Sequence, residues 1–128
     1  MLQTLYETTD GEYFLSTDKR HIDVDVVHRF LAESSSWARG IPRETVEEAI
    51  RNSLCFGLYR DGALLAFCRV VTDGATFGNL VDVFVLPEMR GYGLSKMLAR
   101  RLPSGIKENG RRKKNGTPRG AVFVSYLS

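Results

Sequence analysis

The segment Arg90-Gly91-Tyr92-Gly93-Leu94-Ser95 is the part of this sequence best placed to do chemistry. It follows the apolar run NLVDVFVL (79–86) and Pro87. It precedes a helical pattern of Leu94, Met97, Leu98 and Leu102. A helix start leaves its first backbone N–H groups without intrahelical acceptors and carries partial positive charge. Glycines there allow a ligand to approach the backbone closely. The joint is therefore a candidate pyrophosphate cradle. It matches neither the Gly-x-Gly-x-x-Gly of dinucleotide folds nor the nucleoside-triphosphatase loop ending in Gly-Lys-Ser/Thr. A turn that uses glycine only for positive φ would account for the glycines alone about equally well. The second candidate is Asp82, a lone acid in LVDVFV. An unpaired carboxylate in such a strand is costly to bury, which makes Asp82 a candidate general base. The competing reading is that it pairs with Arg69 on the neighbouring strand. His21 and His28 are bases of lower weight, and Asp73 reads as a turn residue.

Composition bounds the rest. The chain has 128 residues, 43% of them hydrophobic and 26% charged. One domain of that size buries enough surface to fold without metal or disulfide. No apolar run reaches the roughly 18 residues of a membrane span. MLQTLYETTDGEYF has no basic n-region and no apolar h-region, so no secretory signal is expected. Two cysteines are too few for a disulfide scaffold or a four-thiolate zinc site. A cytoplasmic protein is expected. No Ser-His-Asp order, His-Glu-x-x-His or Cys-x-x-Cys appears, so hydrolase and metal chemistry have no support. The net charge of +3 is uneven: Arg100–Arg119 holds eight basic residues against Glu108, giving +7 and leaving −4 elsewhere. No aromatic interrupts that run, so it reads as a solvated loop, and no nucleic-acid partner is expected.

The elements that must position these residues can be read from pattern. A first strand is predicted near 12–18. A helix follows from Val24, with Val27, Phe30 and Leu31 on its apolar side and Asp23 or Asp25 as cap. Ser34–Ser36 and Gly40 end it. Pro42 opens a second helix over about 42–52, striped by Val46, Ala49 and Ile50. LCFGLYR (54–60) and ALLAFCRVVTD (63–73) flank Asp61-Gly62, a strong hairpin turn signal. If Arg60 faces Ala63, Cys55 faces Cys68, which predicts neighbouring reduced thiols. Trp37 reads first as a core plug and second as lining for an acceptor site between the two helices. Residues 103–120 read as a long loop, and AVFVSYL (121–127) as a last strand.

The run DVFVLPEMRGYGLSKMLARRL resembles the central motif of the GCN5-related N-acetyltransferases (GNAT). Arg90, Gly93 and Ser95 take the three positions of that family's Arg/Gln-x-x-Gly-x-Gly/Ala pattern, with Ser as a mild departure. SSSWARGIPRETVEEAIRNSLCFGLYRDG, through RVVTD, is similar to small single-domain members. The resemblance covers about residues 12–102. It implies a single α/β (α+β) domain over 1–128 with a mixed, mainly antiparallel sheet flanked by helices. The order is β-α-α-β-β-β-α-β, truncated after the fifth strand. It implies acetyl-CoA as co-substrate. The backbone of Val83, Phe84 and Val85 would pair with pantetheine. The amides from Gly91 through Tyr92, Gly93, Leu94 and Ser95 to Lys96 would hold the pyrophosphate, with Arg90 at the edge. Asp82 would take the proton of the acceptor, a small-molecule or peptide amine of unread identity.

The family's Gly-Phe-containing C-terminal hairpin is absent from residues 103–128. Two functions therefore stand at this point: an N-acetyltransferase acting on a primary amine, and a non-catalytic remnant that binds a coenzyme A species or a protein partner. The last strand is expected to leave one edge uncovered, and so to be packed in a homodimer or poorly stable.

Overall fold

The computed structural model describes residues 5–73 and 77–100, and by backbone the strands at 106–108 and 121–126. A hairpin opens the chain. β1 (Glu7–Asp10) turns at Gly11, φ 66°, into β2 (Tyr13–Ser16). The predicted first strand is β2. β1 carries no apolar residue and so escapes a reading based on alternation.

α1 (Val24–Arg29) is capped by Asp23, whose carboxylate accepts from the amides of Asp25 and Val26 at 3.1 and 3.3 Å. The helix then widens into one π-helical stretch, Phe30–Ser34. A knotted loop follows. Ser35 Oγ donates to Leu31 O at 2.7 Å and accepts from the Ala38 amide at 3.0 Å. The Gly40 amide returns to Ala32 O at 2.9 Å. His28 Nε2 lies 3.0 Å from Ile41 O. These ties fix the segment that carries Trp37. α2 (Arg43–Arg51) begins after Pro42, as its sequence requires.

β3 (Leu54–Arg60) and β4 (Ala63–Thr72) form the expected hairpin, with Arg60 opposite Ala63 and positive φ at both Asp61 and Gly62. β5 (Phe77–Val85) runs antiparallel to β4. A 3-10 turn at Pro87–Met89 leads through the glycines to α3 (Leu94–Arg100). β6 (Ile106–Glu108) and β7 (Ala121–Tyr126) complete a seven-stranded sheet in the order β1-β2-β3-β4-β5-β7-β6. Every neighbouring pair is antiparallel.

α3 and Met89 cover one face, packing on Leu15, Phe56, Leu58, Cys68, Val70 and Leu80. α1 and α2 cover the other, with Val27, Leu31, Val46 and Ile50 packed on Cys55, Tyr59, Phe67 and Phe84. This is the antiparallel sheet between helices that the sequence implied, without the parallel pair that a mixed sheet would have among the described strands, and with the fifth strand of that scheme present as β7.

Three expectations need correction. The pairing Cys55–Cys68 does not form. A bulge between Leu58 and Tyr59 adds Leu65 on β4, so Phe56 faces Cys68 and Cys55 faces Arg69. Strand side chains alternate with period two, so one added residue sends the two thiols to opposite faces. Residues 103–120 are not all loop, because β6 lies within them. The outer edge of β7 is not left bare: β6 pairs along Val124–Tyr126. The rest of 103–120, and residues 127–128, lie outside the described residues.

Candidate functional site

β5 is held differently along its two halves. On its outer side it pairs with β7 from Phe77 to Val81, and that pairing stops there. The backbone of Val83, Phe84 and Val85 therefore has no β7 partner. On the β4 side the ladder also breaks: Phe84 faces Phe67 but Val81 faces Arg69, so Asp82 and Val83 together oppose Cys68. Asp82 takes up the extra length at φ 54°. Asp is among the few non-glycine residues that adopt this conformation readily. The consequence is a change of face. Leu80 packs under α3, whereas Phe84, an even number of residues on, packs under α1 and α2.

A cleft of about 620 Å³ opens beside this stretch, whose outer side no described strand pairs. One side is Val83, Phe84, Val85 and Met89, continuing into Arg90, Gly91, Gly93, Leu94 and Ser95. The other side is Phe30, Ser34, Ser36 and Trp37, from the π-helical stretch and the knotted loop. Most of the residues expected to hold a cofactor are thus brought together. Tyr92, 65% exposed, and Lys96 stand outside the lining. Gly91 and Gly93 have φ of 90° and 75°, and a Cβ on either would meet nothing within 4 Å. Their need for glycine is conformational, and the space a side chain would take is open to a ligand. Arg90, the one charged lining residue among those described, places Nε 3.3 Å from Val85 O. The rings of Phe30 and Phe84 stack at 4.1 Å between centroids.

Asp82 pairs with Arg69, as the competing reading had it. Arg69 Nε donates to Asp82 Oδ2 at 2.8 Å, and the two side chains are 16% and 11% exposed. The other oxygen, Oδ1, accepts from Trp37 Nε1 at 2.9 Å. Asp82 lies against a separate small cavity of about 110 Å³ among α1, α2 and the sheet. Trp37 lines the cleft and is also packed, partly buried, against the core beneath α1 and α2. The signal was present in sequence: one donor-bearing aromatic beside a run of serines. Nothing in the sequence linked it to Asp82, 45 residues away.

His21 and His28 do not line the cleft. His28 ties the loop to α1. His21 lies near Glu7 and Asp18, and the three could surround a cation. Their atoms are already engaged. Arg20 grips Asp18 through Nε at 3.0 Å and Nη2 at 2.8 Å, and Ser16 Oγ donates to Glu7 at 2.7 Å. Hydrogen bonding to Arg20 holds the Asp18 carboxyl down to about 2. This cluster locks the first hairpin to the turn after it. Burial pushes both thiols, Cys55 and Cys68, upward, away from nucleophilic use. Among the described residues no helix is long and apolar enough to cross a membrane.

Residues 24–111 match the model of the acetyltransferase (GNAT) family. A protein of Gibberella zeae, provisionally named an acetyltransferase, is 31% identical over 118 residues, which cover 77% of this chain and 67% of that one. A crystal structure from Xanthomonas campestris pv. campestris, provisionally described as a GNAT-family acetyltransferase, is 50% identical with a TM-score of 0.66. That match covers 67% of this chain, and the chain spans 61% of the Xanthomonas protein's length.

Proposed function

The chain belongs to the acetyltransferase (GNAT) family, and from that premise we propose that it is an N-acetyltransferase moving an acetyl group from acetyl-CoA to a primary amine. One observation carries this reading: the cleft joins a stretch of β5 whose outer side has no strand partner among the described residues to an open, glycine-lined loop. An extended, amide-containing arm fits against strand backbone whose outer edge no described strand covers. A diphosphate fits where backbone N–H groups converge and no Cβ intrudes. The volume is that of ordinary small-ligand sites.

Acetyl-CoA would supply the acetyl group as a thioester: the amine nitrogen bonds the carbonyl carbon, the C–S bond breaks, and the proton lost by nitrogen ends on sulfur. The chain's part is placement. Val83, Phe84 and Val85 would hold the pantetheine arm by backbone. Arg90 and the amides from Gly91 to Lys96, those of Tyr92 and Leu94 included, would hold the pyrophosphate. Asp82 stands behind Trp37, which lines the cleft where the thioester would lie. Two roles are open to it there: taking the amine's proton, or fixing the indole. Its hydrogen bonds favour the second. A cytoplasmic location belongs to the same proposal, since two buried thiols on opposite faces suit a reducing compartment.

The test is calorimetric titration with acetyl-CoA, followed by thiol release over a panel of primary amines. Saturable binding with turnover is expected. Absence of binding at millimolar acetyl-CoA would refute the reading. Binding without turnover of any amine would favour the non-catalytic alternative.

A further inference from the structure

We propose that Asp82 is a positioning residue that fixes Trp37 as an apolar wall at the thioester end of the cleft, and that this wall selects an amine carried on an apolar or aromatic group. The inference rests on the acetyltransferase reading and names its acceptor class.

The argument starts from the indole. Trp37 is the one tryptophan of the chain. Its side chain has a single polar group, an N–H that can only donate. That N–H is given to Asp82 at 2.9 Å. What remains to face a ligand is hydrocarbon and π surface. Phe30 and Phe84, stacked on each other, line the same cleft. The side chains that the π-helical stretch and the knotted loop give to the cleft are thus two aromatics and two serines, with no charge.

The indole is held from both sides. Behind it, Asp82 is gripped by Arg69. Arg69 Nη1 donates to Ser53 Oγ at 3.3 Å, and Ser53 Oγ donates to Ala49 O at 2.6 Å on the last turns of α2. On the chain around it, the Ser35, Gly40 and His28 bonds pin the loop. Such a network settles one orientation of a side chain in advance of binding. The strain of positive φ at Asp82 is stored at the point that aims this carboxylate.

Position supplies the last step. Along β5, Asp82 comes before Val83–Val85, and these come before the glycine loop. Trp37, tied to Asp82, therefore stands at the end of the cleft away from that loop. That is where an acceptor must meet the thioester. A hydrophobic wall discriminates by roughly 10-fold or more per methylene. It offers a polyhydroxylated amine no partners beyond the two serines.

The experiment uses the full chain, with 2-phenylethylamine, n-butylamine and spermidine as acceptors. Because Trp37 is the single tryptophan, its emission and its quenching by acrylamide report on the wall directly. We expect kcat/KM for 2-phenylethylamine to exceed that for spermidine by at least about 30-fold. Trp37→Ala should remove most of this preference, raising KM for the aromatic amine more than it lowers kcat. Trp37→Phe should restore much of it. Asp82→Ala should shift the indole emission to the red, increase quenching and copy the Trp37→Ala selectivity. The double variant should lose little more than either single one. The kcat/KM–pH profile should keep its acidic limb in both Asp82→Ala and Asp82→Asn. If Asp82→Ala does not fold, Asp82→Asn and the two Trp37 variants decide the matter.

Loss of about 10²–10⁴ in kcat for every amine, with unchanged indole emission, would make Asp82 the general base and overturn the positioning role. Preference for spermidine would overturn the acceptor class. Failure of acetyl-CoA to bind would fall on the acetyltransferase reading instead. The emission of Asp82→Ala and the quenching of the indole by 2-phenylethylamine would then still decide this inference.

Discussion

Two glycine substitutions separate backbone cost from cofactor contact. Gly93 sits in the cleft at φ 75°, and Gly11 sits in the first hairpin turn at φ 66°. A Cβ on either meets no atom within 4 Å. Alanine at each position should therefore cost only the left-handed conformation, about 1–2 kcal/mol. For a domain of this size that is a drop of roughly 3–10 °C in Tm. The two variants should melt within a few degrees of each other. Their behaviour toward acetyl-CoA should differ. The Gly93 Cβ occupies space a phosphate oxygen needs if the loop amides are to reach it. One charge-assisted hydrogen bond lost is worth about 1.5–3 kcal/mol, or roughly 10–150-fold in Kd. Gly93→Glu adds like charge and should abolish binding. Isothermal calorimetry on Gly11→Ala, Gly93→Ala and Gly93→Glu, beside their melting curves, reads both effects. Wild-type affinity in Gly93→Glu, with the fold intact, would remove the pyrophosphate from this loop.

Other consequences are simpler to check. Cys55 and Cys68 are buried on opposite faces. A thiol reagent should modify neither in the native protein and both in denaturant, and mild oxidant should form no bridge between them. Tyr59 is 3% exposed and its hydroxyl has no hydrogen-bond partner among the described residues, so Tyr59→Phe should stabilise by about 1 kcal/mol in chemical denaturation. A Cβ at Gly57 would run into that same tyrosine, and Gly57→Ala should destabilise by about 1–3 kcal/mol. Asp18 titrates at about 2 rather than at its ordinary 3.8, held down first by its side-chain hydrogen bond to Arg20. A depressed carboxylate stabilises above its unfolded value and loses that contribution as pH falls through the folded one. Acid unfolding followed by circular dichroism should therefore show a limb between about pH 4 and pH 2 that Asp18→Asn flattens.

The fold was legible wherever local chemistry and period agreed. Asp61-Gly62 named its hairpin, Pro42 named the start of α2, and Asp23 named the cap of α1. The glycine loop was legible as a strand-to-helix joint because its two glycines fall between a buried strand and a helix, and the structure places both in the cleft. β1 was not legible, because a polar, half-exposed strand has no alternation to detect. Its Asp10-Gly11 turn was the signal overlooked. β6 was hidden in a basic, glycine-rich stretch whose composition reads as loop.

The remaining misses share one cause, the single-residue bulge. A strand read at period two keeps its faces only until a residue is inserted. One insertion, at Leu65, separates Cys55 from Cys68. The other, at Asp82 and Val83, decides the site. Read without it, NLVDVFV places Asp82 on the face of Leu80, under α3 and away from the loop after α1. With it, Asp82 turns toward Arg69 and meets Trp37. The same irregularity lies where pairing with β7 has just ended. Among the described residues, the place where β5 departs from its ladder on both sides is therefore also where the cleft begins. Bulges re-aim side chains beside active sites. Here the residue type that tolerates the strained backbone is also the acid that orders the cleft wall. Asp82, expected from its strand to be a lone acid, is the residue at the bulge, and its role turns on where the bulge points it.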